Sequence, residues 1–286
     1  MGIDIHVLNF LRYANTKRPM GATITIGRQL LHVIEPKVKE LVGAGPGYAN
    51  QKFCEGLLLE YFGATKVDSV DNSDYEQATH IHDMNEPVPE AMRGGYDTVL
   101  DVGCLEHIFN APQAFKNCSM LCMPGGQIIH ILPANNFCGH GFWQFSPELF
   151  FSLYSDANGY RDTEVFLASL SDLSRWFKVR RPDDGKRVNV TSTGEVYVLA
   201  RTTLHRADFS HLRVQQSDYV YVWGNSGLQS TEPHPEASGI KERLKQIPFL
   251  YKVLSPAYHY YLRSRTETGL NDRNPGLVAV SAGVPN

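Results

Sequence analysis

No apolar run in this sequence reaches the roughly 18 residues that a membrane-spanning helix needs. The first residues, MGIDIHVLNF, carry no basic stretch and no long apolar core, so no secretory leader is expected. Stable membrane insertion is therefore not expected. Excess positive charge is missing too. The 27 Lys and Arg face 30 Asp and Glu, and a net charge of −3 gives no reason to expect a nucleic-acid partner. Cysteine is scarce: the five present are odd in number and lack framework spacing, which implies reduced thiols in a cytoplasmic protein. Cys118 and Cys122, four apart on an expected helix, read as small core residues before a metal or redox pair. The sequons at Asn117 and Asn189 then read as chance matches. Internal repeats are absent.

What is present suits an ordinary globular protein. At 286 residues, 42% hydrophobic and 20% charged, the chain allows one large domain or one domain with an appendage. Its organising stretch runs from Tyr96 to His140. Tyr96–Val102 is a short β-rich run, and Leu105–Leu121 has helical apolar spacing. Pro124-Gly125-Gly126 stops that helix, and Gln127–Leu132 is a second strand. Both strands are apolar without clean alternation, as expected when both faces of a parallel sheet are covered. The unit is therefore a βαβ crossover.

A Tyr-Asp-led strand, Leu105-Glu106-His107 at a helix start, a Pro-Gly-Gly stop and a strand leaving into Leu132-Pro-Ala-Asn-Asn together resemble the second half of a class I S-adenosylmethionine-dependent methyltransferase. There they would be strand 4, helix D and strand 5. Val99–Cys104 also resembles that family's first glycine motif. However, Leu105 and Glu106 stand where small residues let backbone approach a cofactor. Gln127–Leu132 also ends without a ribose-binding acid. The strand-4 register is therefore adopted.

In that register the earlier pieces fall in order. Ala22–Ile26 and Gly27 would be strand 1 and its turn, Ser69–Ser73 the end of strand 2, and His82–Asn85 the end of strand 3. Arg161–Leu170 and Glu195–Thr203 read as two strands joined by a polar loop, matching the antiparallel pair that ends the class I sheet. Ser146 before Pro147 reads as the N-cap of a further helix. The resemblance covers roughly residues 20–205. It implies a doubly wound, mostly parallel, seven-stranded α/β sheet of Rossmann-like methyltransferase type, with a helical C-terminal appendage. One departure stands out: strand 1 is followed by a single glycine, then Arg28 and Gln29, instead of a Gly-x-Gly-x-Gly turn.

In open α/β sheets ligands bind outside the carboxyl ends of the strands. The resemblance implies S-adenosylmethionine as cofactor, held by Gly27, Arg28, Asp71, Asp83, Met84, Gly103 and Cys104. Asp71 would accept the ribose hydroxyls or else only form a turn, and Asp83 would face the adenine amino group or else only cap a turn. Arg28 would grip the cofactor carboxylate or serve structure alone. His107 or His140 would act as general base, oriented by Glu106, or cap local structure. Glu106, His107 and His140 make at most three converging ligands, so no metal is expected. Asn135, Asn136, Phe142, Trp143 and Phe145 suit a polar ring or sugar-like acceptor, or core packing.

The expected function is methyl transfer to an oxygen or nitrogen of a small molecule, as in small-molecule biosynthesis. The alternative is a methyltransferase-like binding protein without catalysis. Three segments are expected: the α/β domain over 1–205, an irregular connection over 206–239, and a helical appendage with a disordered tail over 240–286. Ile240–Arg265 carries six Lys and Arg beside one Glu, interleaved with aromatics and broken at Pro248 and Pro256. It is expected to pack on the protein itself or on a second copy, as in a homodimer, ahead of a lipid surface.

Overall fold

The computed structural model describes residues 2–43, 52–206, 212–225 and 268–283. The glycine-rich loop after Gly43 and the whole of Ile240–Arg265 lie outside the described residues. No described helix is long and apolar enough to cross a membrane.

In chain order the elements are β1 (Gly2–Ile3), α1 (Ile5–Lys17), β2 (Gly21–Ile26), β3 (Leu30–Leu31), α2 (Glu35–Val42), α3 (Glu55–Tyr61), β4 (Ala64–Asp71), β5 (His80–Ile81), β6 (Tyr96–Val102), α4 (Ala111–Leu121), β7 (Cys122–Asn135), α5 (Pro147–Leu153), β8 (Tyr160–Ser169), β9 (Arg175–Val179), β10 (Val196–Leu204), α6 (Ser217–Gly224) and β11 (Leu277–Ser281). Nine strands form one sheet in the order β11-β9-β8-β10-β7-β6-β2-β4-β5, while β1 and β3 pair separately. The five consecutive strands β7, β6, β2, β4 and β5, the last at the sheet edge, are parallel. β10 inserts antiparallel between β7 and β8.

The strand sequences explain the double winding. In β6, Val99 joins one core while Leu100 and Val102 join the other. In β7, Ile128 and Leu132 join the first, Ile129 and Ile131 the second. Successive side chains point to opposite faces, so a run apolar at every position is covered on both. One face is covered by α4 and α5, through Phe115, Cys118, Phe150 and Tyr154. On the other lie α1 and α3, where Phe10, Phe166 and Trp176 meet edge to face. The expected N-cap at Ser146 is present: its side chain accepts from the Glu148 amide.

β6 lies between β2 and β7, so the strand-4 register holds. Four expectations need correction. The segment from Leu105 is not one helix: Leu105–His107 is a single 3-10 turn, and α4 starts only at Ala111, where Pro112 supplies the helical start. Leu30–Val42 divides into β3 and α2, because Pro36 fixes the helix start there. The polar stretch between β8 and β10 contains β9, anchored by the fully buried Trp176. The tail is ordered on the sheet: β11 pairs antiparallel with β9, from Leu277 opposite Val179 to Ser281 opposite Arg175. The α/β body therefore includes residues after the expected boundary at 205 and has two more strands than expected. The 206–239 connection also contains α6.

Candidate functional site

Parallel pairing fixes which residues share the carboxyl edge. Ile26 pairs with Val70 and with Asp101, so the chain leaving β2, β4 and β6 emerges side by side. Gly27 follows β2 at φ +70°, and Gly103 follows β6 at φ +73°. This left-handed region suits glycine. A methyl group at Gly27 would meet the Cys104 sulfur at 3.5 Å, so the two turns lie against each other. Burial, with Asp101 and Glu106 nearby, pushes the Cys104 thiol well above its ordinary range and keeps it neutral.

Asp71 ends β4, half-buried, with only a long 3.4 Å contact from the Ser73 amide to its carboxylate. Its carboxylate therefore keeps acceptor capacity. Asp83 is exposed; one oxygen accepts from the Asn85 amide at 2.9 Å and from the Asn85 side chain at 2.7 Å. Those bonds hold its carboxyl below the usual range. The turn-forming role is thus present, with the second oxygen free of that turn. Met84 is turned into the core and offers no side chain to the edge. Arg28 is engaged within the chain: its Nε meets Glu55 at 2.6 Å, one terminal nitrogen donates to the Glu76 carbonyl at 2.8 Å, and its guanidinium lies 4.0 Å from the Phe53 ring centre. Gln29 folds back to donate to the Ile26 carbonyl at 2.7 Å, bracing the one-glycine turn.

Glu106, His107 and His140 converge. Their ligand atoms all lie within 4.8 Å of one another. Glu106 Oε1 is 3.4 Å from His140 Nε2 and 3.8 Å from His107 Nε2. The imidazole centres are 5.1 Å apart. Glu106 is fully buried, and among the described residues neither carboxylate oxygen has a hydrogen-bond partner; His140 Nε2 is likewise unpartnered there. Burial, then the charge of Asp101, raises the Glu106 carboxyl to about 8. Burial and the neighbouring His140 lower the pKa of His107.

Two devices hold this cluster. The loop after β7 is tied to the 3-10 turn, since the Phe142 and Trp143 amides donate to the Glu106 carbonyl at 2.7 and 3.3 Å. The Trp143 ring nitrogen also donates to the Ile108 carbonyl at 2.9 Å. Beneath the turn lies a buried chain that was not legible beforehand. Asp101 accepts from the Cys104 and Leu105 amides at 3.1 and 3.4 Å and pairs with His130 Nδ1 at 2.8 Å; His130 Nε2 meets the Tyr154 hydroxyl at 2.6 Å. The Tyr154 hydroxyl is held protonated by burial, so it donates to Nε2, and Nδ1–H donates to Asp101. An aspartate and a histidine pointing inward from adjacent strands at one register, Asp101 opposite His130, were the available signal.

The expected acceptor residues separate. Asn135 and Asn136 spend their amides on the 190–194 loop, and Phe145 is core. Phe142 and Trp143 stay exposed beside the cluster with Phe109, whose ring meets Phe142 edge to face at 6.1 Å.

Gly141 crosses above Glu106 at φ +82°, where a Cβ would come within 2.8 Å of the Glu106 carbonyl oxygen. Gly141→Ala is therefore expected to cost about 1–3 kcal/mol and to displace the loop carrying His140. Urea unfolding of both forms checks the cost; equal midpoints and slopes would count against this packing.

No protein-family model matches the chain, and no curated protein matches it. Solved structures do. One is an S-adenosylmethionine-dependent methyltransferase, described as a possible histamine N-methyltransferase, from Thermotoga maritima (TM-score 0.37, 15% identity, 71% of this chain and 91% of that one). Another is 1,6-didemethyltoxoflavin-N1-methyltransferase from Burkholderia thailandensis, with S-adenosylhomocysteine bound (TM-score 0.40, 14% identity, 71% and 78%). A third is a 16S rRNA (adenine(1408)-N(1))-methyltransferase from Catenulisporales acidiphilia (TM-score 0.35, 10% identity, 72% and 94%). Such low values say nothing of this chain's substrate, partner or cofactor. The strand order and the antiparallel β10 beside β7 stand on their own: the chain has the Rossmann-like α/β fold that its sequence resembles.

Proposed function

We propose that this protein transfers a methyl group from S-adenosylmethionine to an oxygen or nitrogen of a small molecule. The observation that carries this reading is the edge itself: Gly27, Asp71, Gly103, Cys104 and the Glu106–His107–His140 cluster all follow the carboxyl ends of adjacent parallel strands. The residues fit the cofactor at two points. The turns at Gly27 and Gly103 carry no side chain that would hold their backbone away from a ligand, and the Asp71 carboxylate has acceptor capacity for ribose hydroxyls. Asp83 would reach the adenine side with its free oxygen.

When bound, the cofactor supplies an electrophilic methyl carbon on a sulfonium. The residues of this edge would orient an acceptor oxygen or nitrogen toward that carbon, which is the main contribution the protein would make. His107 or His140 takes the acceptor proton at Nε2. The lowered pKa of His107 keeps it neutral and able to accept near pH 7. Replacing the histidine that takes the proton with Ala is expected to reduce turnover by about 10²–10⁴-fold, so at least one of His107→Ala and His140→Ala should show that loss. A single-turnover assay with methyl-labelled S-adenosylmethionine and any small molecule that the parent chain methylates checks this, and unchanged rates in both variants would remove the imidazoles from the chemistry.

A binding protein without catalysis is the second reading. It is favoured by the one-glycine turn and by the engagement of Arg28 with Glu55 and Phe53. Calorimetry with S-adenosylmethionine and S-adenosylhomocysteine tests the first reading, and absence of heat with both would favour the second. Asp71→Ala is expected to weaken binding by about 1.5–3 kcal/mol. An unchanged affinity in a folded variant would take Asp71 out of the site.

A further inference from the structure

We propose that Glu106, His107 and His140 are the protein ligands of one divalent transition-metal ion of the zinc class, in a site that leaves at least one coordination position open. Three ligands looked too few for a metal when counted along the sequence. Three protein ligands and an open position are, however, what a catalytic zinc site uses.

The distances favour a shared ion over direct contact. Bonds of about 2.0–2.1 Å in a tetrahedron place neighbouring ligand atoms about 3.4 Å apart. Glu106 Oε1 stands 3.4 Å from His140 Nε2 and 3.8 Å from His107 Nε2. A charged pair joined by a hydrogen bond would close to about 2.7–2.9 Å. The three ligand atoms lie within 4.8 Å of one another, so a small inward movement of the half-exposed imidazoles brings all three onto a common ion, and among the described residues they form the one such cluster.

Burial supplies the second observation. Glu106 is fully buried and both of its oxygens lack a partner among the described residues, as does His140 Nε2. Buried polar groups are nearly always satisfied, and a carboxylate without a partner is costly. A cation among these atoms satisfies Glu106 and His140 together. Among the described residues no lysine or arginine is paired with Glu106; its ionic neighbours there are the two histidines.

The donor set selects the metal. Two imidazoles and one carboxylate suit Zn²⁺, with Fe²⁺, Co²⁺ and Ni²⁺ next, whereas Mg²⁺ and Ca²⁺ prefer all-oxygen sites. Preorganisation comes from the backbone, since the Glu106 carbonyl ties the His140 loop to the turn bearing Glu106 and His107. The open position would take water or an acceptor oxygen beside Phe109, Phe142 and Trp143. Ion and proton compete for the same imidazole nitrogens, so a bound ion replaces the general-base role with Lewis acidity toward a coordinated hydroxyl. Metal binding itself does not rest on the methyl-transfer reading.

The test uses the full chain, stripped with chelator and titrated with ZnCl₂ by calorimetry, with MgCl₂ run in parallel and retained zinc measured after dialysis. About one zinc per chain is expected, with no comparable Mg²⁺ binding. Glu106→Gln, His107→Ala and His140→Ala, each verified as folded by circular dichroism, should each weaken zinc at least about tenfold. Cys138→Ser, which removes an exposed thiol two residues from His140, should leave it unchanged. No retained zinc in the parent chain overturns the proposal. So does zinc that survives all three ligand variants, or that is lost with Cys138. S-adenosylmethionine is absent throughout, so a chain unable to bind that cofactor would still give a clear answer.

Discussion

Asp101→Ala is expected to cost about 3–5 kcal/mol of folding stability, because it leaves three donors without their acceptor, each worth about 1–3 kcal/mol when buried and unsatisfied. Asp101 and His130 are both fully buried, and three further hydrogen bonds, from the Cys104 and Leu105 amides and the Tyr154 hydroxyl, end on the pair. Removing the carboxylate leaves His130 Nδ1–H and the Cys104 and Leu105 amides without an acceptor. Those amides belong to the turn that presents Glu106 and His107, so the loss reaches the site as well as the fold. Asp101→Asn keeps one acceptor oxygen and should cost less than Ala. Chemical unfolding monitored by circular dichroism gives the numbers. A cost under about 1 kcal/mol for Ala would mean that the network is not what holds the turn.

Glu106→Gln is expected to flatten the pH dependence of stability in chelator-stripped protein. Burial and Asp101 raise the Glu106 carboxyl from an ordinary 4.5 to about 8. Between those values the folded chain holds a proton that the unfolded chain has released. The stability tied to that proton is complete below about pH 4.5 and is lost progressively as pH rises toward 8. One proton corresponds to about 1.4 kcal/mol per pH unit, so the parent should lose a few kcal/mol across the window. The glutamine amide does not titrate, and the variant should keep a nearly level profile there. Unfolding midpoints at pH 5 and pH 8 compare the two. Parallel profiles would show that Glu106 is not the titrating group.

Much of the sheet was legible because the central strands β6 and β7 carry apolar residues on both faces and three strands, β2, β4 and β6, run out into glycine or acid. Tyr96–Val102, Gln127–Leu132 and Ser146-Pro147 declared themselves by composition and capping chemistry. β9 and β11 did not. Each has five residues, set among Arg, Asp, Asn and Pro, and each becomes a strand only by pairing with the other or with β8. Such stability is tertiary and leaves little local trace. The site was legible in part. The sequence names Glu106 and His107 as neighbours, but only the fold of residues 137–143 returns His140 to them. Arg28 shows the opposite case. Its charge suggested a ligand, and Glu55 and Phe53, more than twenty residues away, supply the partners.

The pairing of β11 with β9 makes the integrity of the chain a thermodynamic variable. Residues 225 and 268 flank a long covalent connection, and beyond it β11 is held by its ladder, by the Arg180 amide donating to the Gly276 carbonyl at 2.8 Å, and by Asn274 donating to the Asn189 carbonyl at 3.0 Å. While the backbone is continuous, that connection supplies a fixed effective concentration of the last strand at its berth. One proteolytic cut within the connection would turn the strand into a bound peptide. Its occupancy would then follow mass action, full in concentrated solution and falling on dilution. The exposed edge of β9 would be left as an open template for another strand.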